Sequence, residues 1–98
     1  MAGALTIRHE RNAAGGEFIL QRGSVRVGEL VYSLTGKHMT IRHTGVDPAV
    51  RGRGVARKLV DAAAQFAREE HLKLASRCSY ASAVFARSRS TFADVLAD

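Results

Sequence analysis

The hexapeptide Arg51-Gly52-Arg53-Gly54-Val55-Ala56 sets two glycines and two arginines into six residues. It lies between an alternating stretch, Met39 to Val46, and an amphipathic one, Gly54 to Glu70. A glycine-rich turn that opens a helix points backbone N–H groups along the positive end of the helix dipole, a geometry that holds phosphate. Glycine also accepts positive φ and lets an anion approach the main chain. Arginine adds charge and bidentate donors. One reading is a pyrophosphate cradle; the other is an ordinary strand-to-helix turn that needs glycine. No Gly-Lys-Ser/Thr follows, as a P-loop requires, and no G-x-G-x-x-G dinucleotide fingerprint is present.

Two further side chains could do chemistry near that turn. Cys78 ends Lys73-Leu74-Ala75-Ser76-Arg77-Cys78, which reads as a strand, and precedes Ser79-Tyr80. A lone cysteine can be a small buried apolar residue. With Arg77 beside it and a helix expected next, its thiol could instead be acidified and nucleophilic. His43 can be a solvated strand residue or a general base. Tyr80 reads as a core aromatic or as a proton donor to a leaving thiolate. His9, His38 and His71 read as surface residues, and Arg42 and Lys37 as solvated.

The elements that must position these groups follow from periodicity. Leu5 to His9 alternates as a first strand, and Asn12 to Gly16 forms a turn cluster. Phe18-Ile19-Leu20 and Val25 to Tyr32 form a hairpin around Arg22-Gly23-Ser24. Gly36-Lys37 turns the chain into the strand Met39 to Val46, which ends at Asp47-Pro48. Along the helix Gly54 to Glu70, Arg57, Lys58, Asp61, Gln65, Arg68 and Glu69 share one side. Val55, Leu59, Ala62, Ala63 and Phe66 share the other. Small residues at 56, 62, 63 and 67 let this helix lie close to a sheet. Lys73 to Cys78 is the last strand, parallel to the one before the helix. Ser82 to Arg87 and Thr91 to Leu96 are short helices. The expected fold class is α/β (α+β): a mixed, mostly antiparallel sheet with one crossover helix between two parallel strands.

Composition narrows the classes. Ninety-eight residues suit one domain, 1–98, with one core. No apolar run reaches the roughly 18–20 residues of a membrane span, and Met1 to Thr6 is too short and too polar for a signal peptide. A single cysteine forms no intrachain disulfide, so a reducing, cytoplasmic setting is expected. No Cys/His spacing suits zinc, so no metal is expected. The net charge of +6, carried mainly by 12 arginines, suits an anionic partner such as nucleic acid or a polyphosphate cofactor. Aromatics are sparse and tryptophan is absent, which disfavours base stacking on single strands.

His43-Thr44-Gly45-Val46, Arg51-Gly52-Arg53-Gly54-Val55-Ala56 and Cys78-Ser79-Tyr80 occur in one order, with a helix of suitable length between the last two. This set resembles the small, single-domain group of GCN5-related N-acetyltransferases marked by H-T-x-V, R-G-x-G-x-A and C-S-Y. The resemblance covers about residues 5 to 96. It implies a minimal acetyl-CoA-binding fold without the N-terminal helices of larger relatives. Backbone N–H groups of Arg51 to Ala56 would hold the pyrophosphate, and Thr44, Gly45 and Val46 would pair with the pantetheine arm. Cys78 and His43 would face the acetyl group. The chain departs from the group at Ser76, where proline is frequent, and at Ser88 to Phe92, where the group's tail differs. The expected activity is acetyl transfer from acetyl-CoA to an amine acceptor by a monomer, without membrane or nucleic-acid partners. A CoA-binding module with little transferase activity, and a small basic nucleic-acid-binding protein, are the competing readings.

Overall fold

The computed structural model describes residues 4–52 and 54–97. Four strands come first: β1 (Leu5–Asn12), β2 (Gly15–Arg22), β3 (Val25–Thr35) and β4 (His38–Val46). They form an antiparallel meander in sequence order. A 3-10 turn, Pro48–Val50, leads to helix α1 (Val55–Glu69), then β5 (Lys73–Ser76), α2 (Ser79–Arg87) and α3 (Arg89–Phe92). β5 joins the sheet parallel to β4, so the sheet is mixed and the crossover is α1. This is the expected GCN5-related α/β architecture.

The sheet has one covered face. Phe18, Leu20, Leu30, Tyr32, Met39 and Ile41 point to it and are buried. Val55, Leu59, Val60, Ala63, Ala64, Phe66 and Ala67 of α1 meet them. The alanines keep helix and sheet close, as their small volume predicts. Val84, Phe85, Phe92 and Val95 extend the same core. The salt bridge Arg68–Asp94, 2.7 Å, ties the segment after α3 back to α1.

The other face is polar. Arg26 bridges Glu17 and Glu29, at 2.6 and 3.6 Å, and Arg8 pairs with Glu10. Glu17 stands two residues along β2 from Ile19, and Glu29 stands opposite Ile19. Ile19 is nonetheless buried, since long side chains can cover apolar surface with their stems.

Four expectations are corrected. The turn at Asn12 to Gly16 is tighter: Asn12 Oδ1 accepts from Ala14 and Gly15 N–H, and Gly15 and Gly16 already belong to β2. Cys78 is not in the last strand. The Ser76 hydroxyl accepts from Cys78 N–H at 3.1 Å and donates to Cys78 O at 2.9 Å, which turns the chain off the sheet after Ser76. The last helix spans Arg89–Phe92 rather than Thr91 to Leu96, because Leu96 leaves it to bridge Leu74 beside β5. His9 is not a surface residue: it stacks on Phe18 at 4.0 Å, meets Phe66 edge-on and lies 2.6 Å from the Tyr32 hydroxyl.

Candidate functional site

β4 and β5 pair only from His38↔Lys73 to Ile41↔Ser76. One further bond follows, from Arg77 N–H to Ile41 O at 2.8 Å. β5 then stops while β4 runs on to Val46. The two strands part at this point, and a cleft of about 450 Å³ opens there. Thr44, Gly45 and Val46 of β4 form one side. Arg51, Gly52, Gly54, Val55 and Ala56 form another, and Tyr80 of α2 a third. Arg53, also expected here, lies outside the described residues.

The turn has the backbone that its sequence requires. Gly52 has φ 84° and Gly54 φ 70°, values that L side chains seldom adopt. Gly54 is the N-cap of α1 and has no side chain to close the cap. No acidic residue stands in the first turn of α1. The first intrahelical bond is Lys58 N–H to Gly54 O, so the N–H groups before it have no helical partner. A Cβ at Gly52 or Gly54 would meet nothing within 4 Å, so open space adjoins these backbones. Arg51 Nε donates to Val46 O at 3.2 Å, tying the turn to the end of β4.

Cys78 caps α2. It is 9% exposed and borders the core. Burial pushes its thiol up. The Thr44 hydroxyl and the N–H groups of Ala81, Tyr80 and Thr44 outweigh that, and the thiol titrates below its ordinary value. No cap hydrogen bond is closed by the thiol, and Thr44 Oγ1 is buried without a hydrogen-bond partner. That hydroxyl is free to donate to a negative charge. Thiolate stabilisation at α2 therefore draws on β4 as well as on the helix start.

His43 and Cys78 lie on opposite faces of the sheet. Thr44 pairs with Leu30 of the core, whereas His43 pairs with Val31 of the polar face. The His43 Nε2 contact is Glu29 Oε2, at 3.0 Å. Sequence reading singled out His43 but passed over Glu29, since an acidic residue within an alternating strand looks like a solvated one. No pattern in the sequence marks it, because Glu29 meets His43 only through the register shift between β3 and β4. Among the described residues no three His, Cys, Asp or Glu side chains stand together as metal ligands would.

A model of the GCN5-related N-acetyl-transferase family matches residues 17–95. The chain belongs to that family. It is 44% identical over 52 residues to Protein NATD1 of Gallus gallus, Mus musculus and Homo sapiens, which is 52% of this chain. The chain spans about half the length of these curated relatives. A GCN5-like protein from Staphylococcus aureus, solved by NMR, superposes with a TM-score of 0.74 at 28% identity, over 95% of this chain and 88% of that one. An aminoglycoside N-acetyltransferase solved in complex with CoA superposes at 0.59 with 18% identity, over 90% and 63%, a likeness of fold alone.

Proposed function

We propose that this protein moves an acetyl group from acetyl-CoA to an amine. The observation that carries the reading is the parting of β4 and β5 at a cleft that also receives the uncapped start of α1. Backbone N–H groups of Gly52 and of Gly54 to Ala56 suit a pyrophosphate, because the last three open α1 at its positive end and no carboxylate stands in its first turn. Arg51 adds a positive charge. The free edge of β4 at Thr44 to Val46 suits the amide-bearing pantetheine arm, as an added strand would. Family membership and the CoA complex of the aminoglycoside enzyme support the same cofactor.

In this reading the amine nitrogen attacks the acetyl thioester carried by Cys78 and its proton goes to His43; the Cys78 thiolate leaves in that step, as the CoA thiolate leaves when Cys78 takes the acetyl group. Tyr80, which lines the cleft, is placed to return a proton to the CoA thiolate. Thr44 and the start of α2 favour the thiolate form of Cys78, without help from His43 across the sheet. Its role is to accept the acetyl group before the amine does. Direct transfer past Cys78 is the alternative course.

Calorimetry with CoA and intact-mass analysis after incubation with acetyl-CoA test this together. The expected results are binding and an adduct of about 42 Da that Cys78→Ala abolishes. Turnover of an amine panel by Cys78→Ala at the wild-type rate would establish direct transfer. Absence of CoA binding would end the acetyltransferase reading.

A further inference from the structure

Three features of the polar sheet face converge on one side chain. The first is a register shift between Val31 and Tyr32, which makes Arg42 an extra residue in β4. In a regular ladder Arg42 would oppose Val31, and His43 would turn inward opposite Leu30. The bulge instead turns His43 outward and sets it diagonally across from Glu29, where long side chains on neighbouring strands meet. The second is Gly45, which lies directly opposite Glu29. Its φ is not in the left-handed region, so its backbone does not demand glycine. What glycine leaves is room for the pair as it stands: a Cβ there would come within 2.7 Å of Glu29 Oε2 and 2.9 Å of His43 Nε2, so both side chains would have to shift. The third is Arg26, whose Nε lies 3.6 Å from Glu29 Oε1 and whose Nη2 donates to Glu17 at 2.6 Å. One Glu29 oxygen is thus oriented from below and the other meets the imidazole.

The geometry points to Glu29 as the positioning partner of His43 in acetyl transfer, with Gly45 as the gap that seats the pair. This rests on the reading of His43 as the general base. Glu29 accepts a hydrogen bond from His43 Nε2–H, which fixes the ring and leaves the Nδ1 lone pair as the proton acceptor. The step balances without a further reactant. The amine nitrogen forms a bond to the thioester carbonyl carbon, the C–S bond breaks, and sulfur leaves with the electron pair. The proton displaced from nitrogen goes to Nδ1, and solvent or Tyr80 protonates the thiolate. Because His43 and Glu29 stand on the face that carries no helix among the described residues, the amine reaches the acetyl group from that face. CoA enters beside α1 and the amine comes from the opposite side of β4.

An isolated surface ion pair is the competing account, and such pairs contribute little. A double-mutant cycle separates the two. Release of CoA from acetyl-CoA is followed with lysine methyl ester, spermidine and hydroxylamine as probe amines. Glu29→Gln, which keeps the shape and removes the charge, is expected to lower kcat about 10-fold or more. That is less than the roughly 10²–10⁴-fold of losing a general base. The KM for acetyl-CoA is expected to stay within about twofold, since Glu29 does not line the cleft. In a His43→Ala background the same Glu29→Gln change is expected to do nothing. Gly45→Ala keeps both partners but forces them apart, and its kcat is expected to fall as for Glu29→Gln. Melting temperatures measured alongside exclude a folding cause. An equal loss from Glu29→Gln with and without His43 would overturn the pairing, as would an unchanged kcat. No turnover of any probe amine by the wild type would instead overturn the transfer reading on which the pairing rests.

Discussion

Cys78 shows how opposing effects at one residue set reactivity. Burial acts against the thiolate, and the Thr44 hydroxyl with the first N–H groups of α2 acts for it and wins. Alkylation by iodoacetamide is therefore expected to rise with pH around a midpoint below that of an unperturbed thiol. Thr44→Val removes one donor at constant shape and is expected to move the midpoint up. The same change should leave folding stability within about 1 kcal/mol of wild type, or raise it, because the buried hydroxyl it removes has no partner in the resting protein. An unmoved midpoint would mean that Thr44 does not reach the thiolate. The sequence named Cys78, His43 and Thr44 but not how they divide. Faces of a strand alternate, so neighbours 43 and 44 must part, yet which of them turns inward depends on the bulge at Arg42. A bulge leaves no mark in a pattern of apolar and polar residues, and so the pairing of His43 with Glu29 and of Thr44 with Cys78 was not legible.

At the scale of elements, the turn into α1 carries the anion-binding chemistry, and its two kinds of residue are expected to fail differently. Gly54→Val places a β-branched side chain at φ 70°, which costs on the order of 1–3 kcal/mol in strain. It also puts bulk beside the free N–H groups, so CoA affinity should fall markedly in the protein that still folds. Arg51→Ala removes one exposed guanidinium and its bond to Val46 O, and salt screens exposed charge. Calorimetry at about 0.15 M salt should rank Gly54→Val as the larger loss; the reverse order would make the arginine the main anchor. Leu59→Ala, at a fully buried position of α1, is expected to cost about 2–5 kcal/mol in urea unfolding while leaving the turn in place. α1 itself was legible to within a residue at either end, because fifteen residues give several repeats of one apolar stripe. β5 was legible in its start and its parallel direction but not in its end, because a single hydroxyl, that of Ser76, marks where the strand stops.

On the scale of the whole molecule, α1 joins two distant regions. Its start faces the cleft, and Phe66, eleven residues on and about 16 Å away along the axis, packs against the aromatic cluster of His9, Phe18 and Tyr32. Arg11 lies over the Phe66 ring at 5.2 Å and pairs with Glu70 at 3.6 Å, which fastens β1 to the end of α1. The alternation of β1 predicted a strand, but alternation in an edge strand does not say how far a helix on the covered face reaches over it, and so His9 read as exposed. Its real position has a consequence for acid stability. Burial, followed by the charge of Arg11, holds His9 below the ordinary histidine value. The unfolded chain therefore binds a proton at His9 more readily than the folded one does, and stability rises with pH across that interval. The contribution is intact above about pH 6.5, the unfolded value, and is lost as pH falls from there through the folded one. Urea unfolding at about pH 7.5, 6.5 and 5.5 is expected to show this decline. His9→Gln can still hydrogen-bond the Tyr32 hydroxyl but does not titrate, so its stability should change less over the same range. An identical decline in that variant would assign the acid sensitivity to other groups and leave His9 as a packing residue alone.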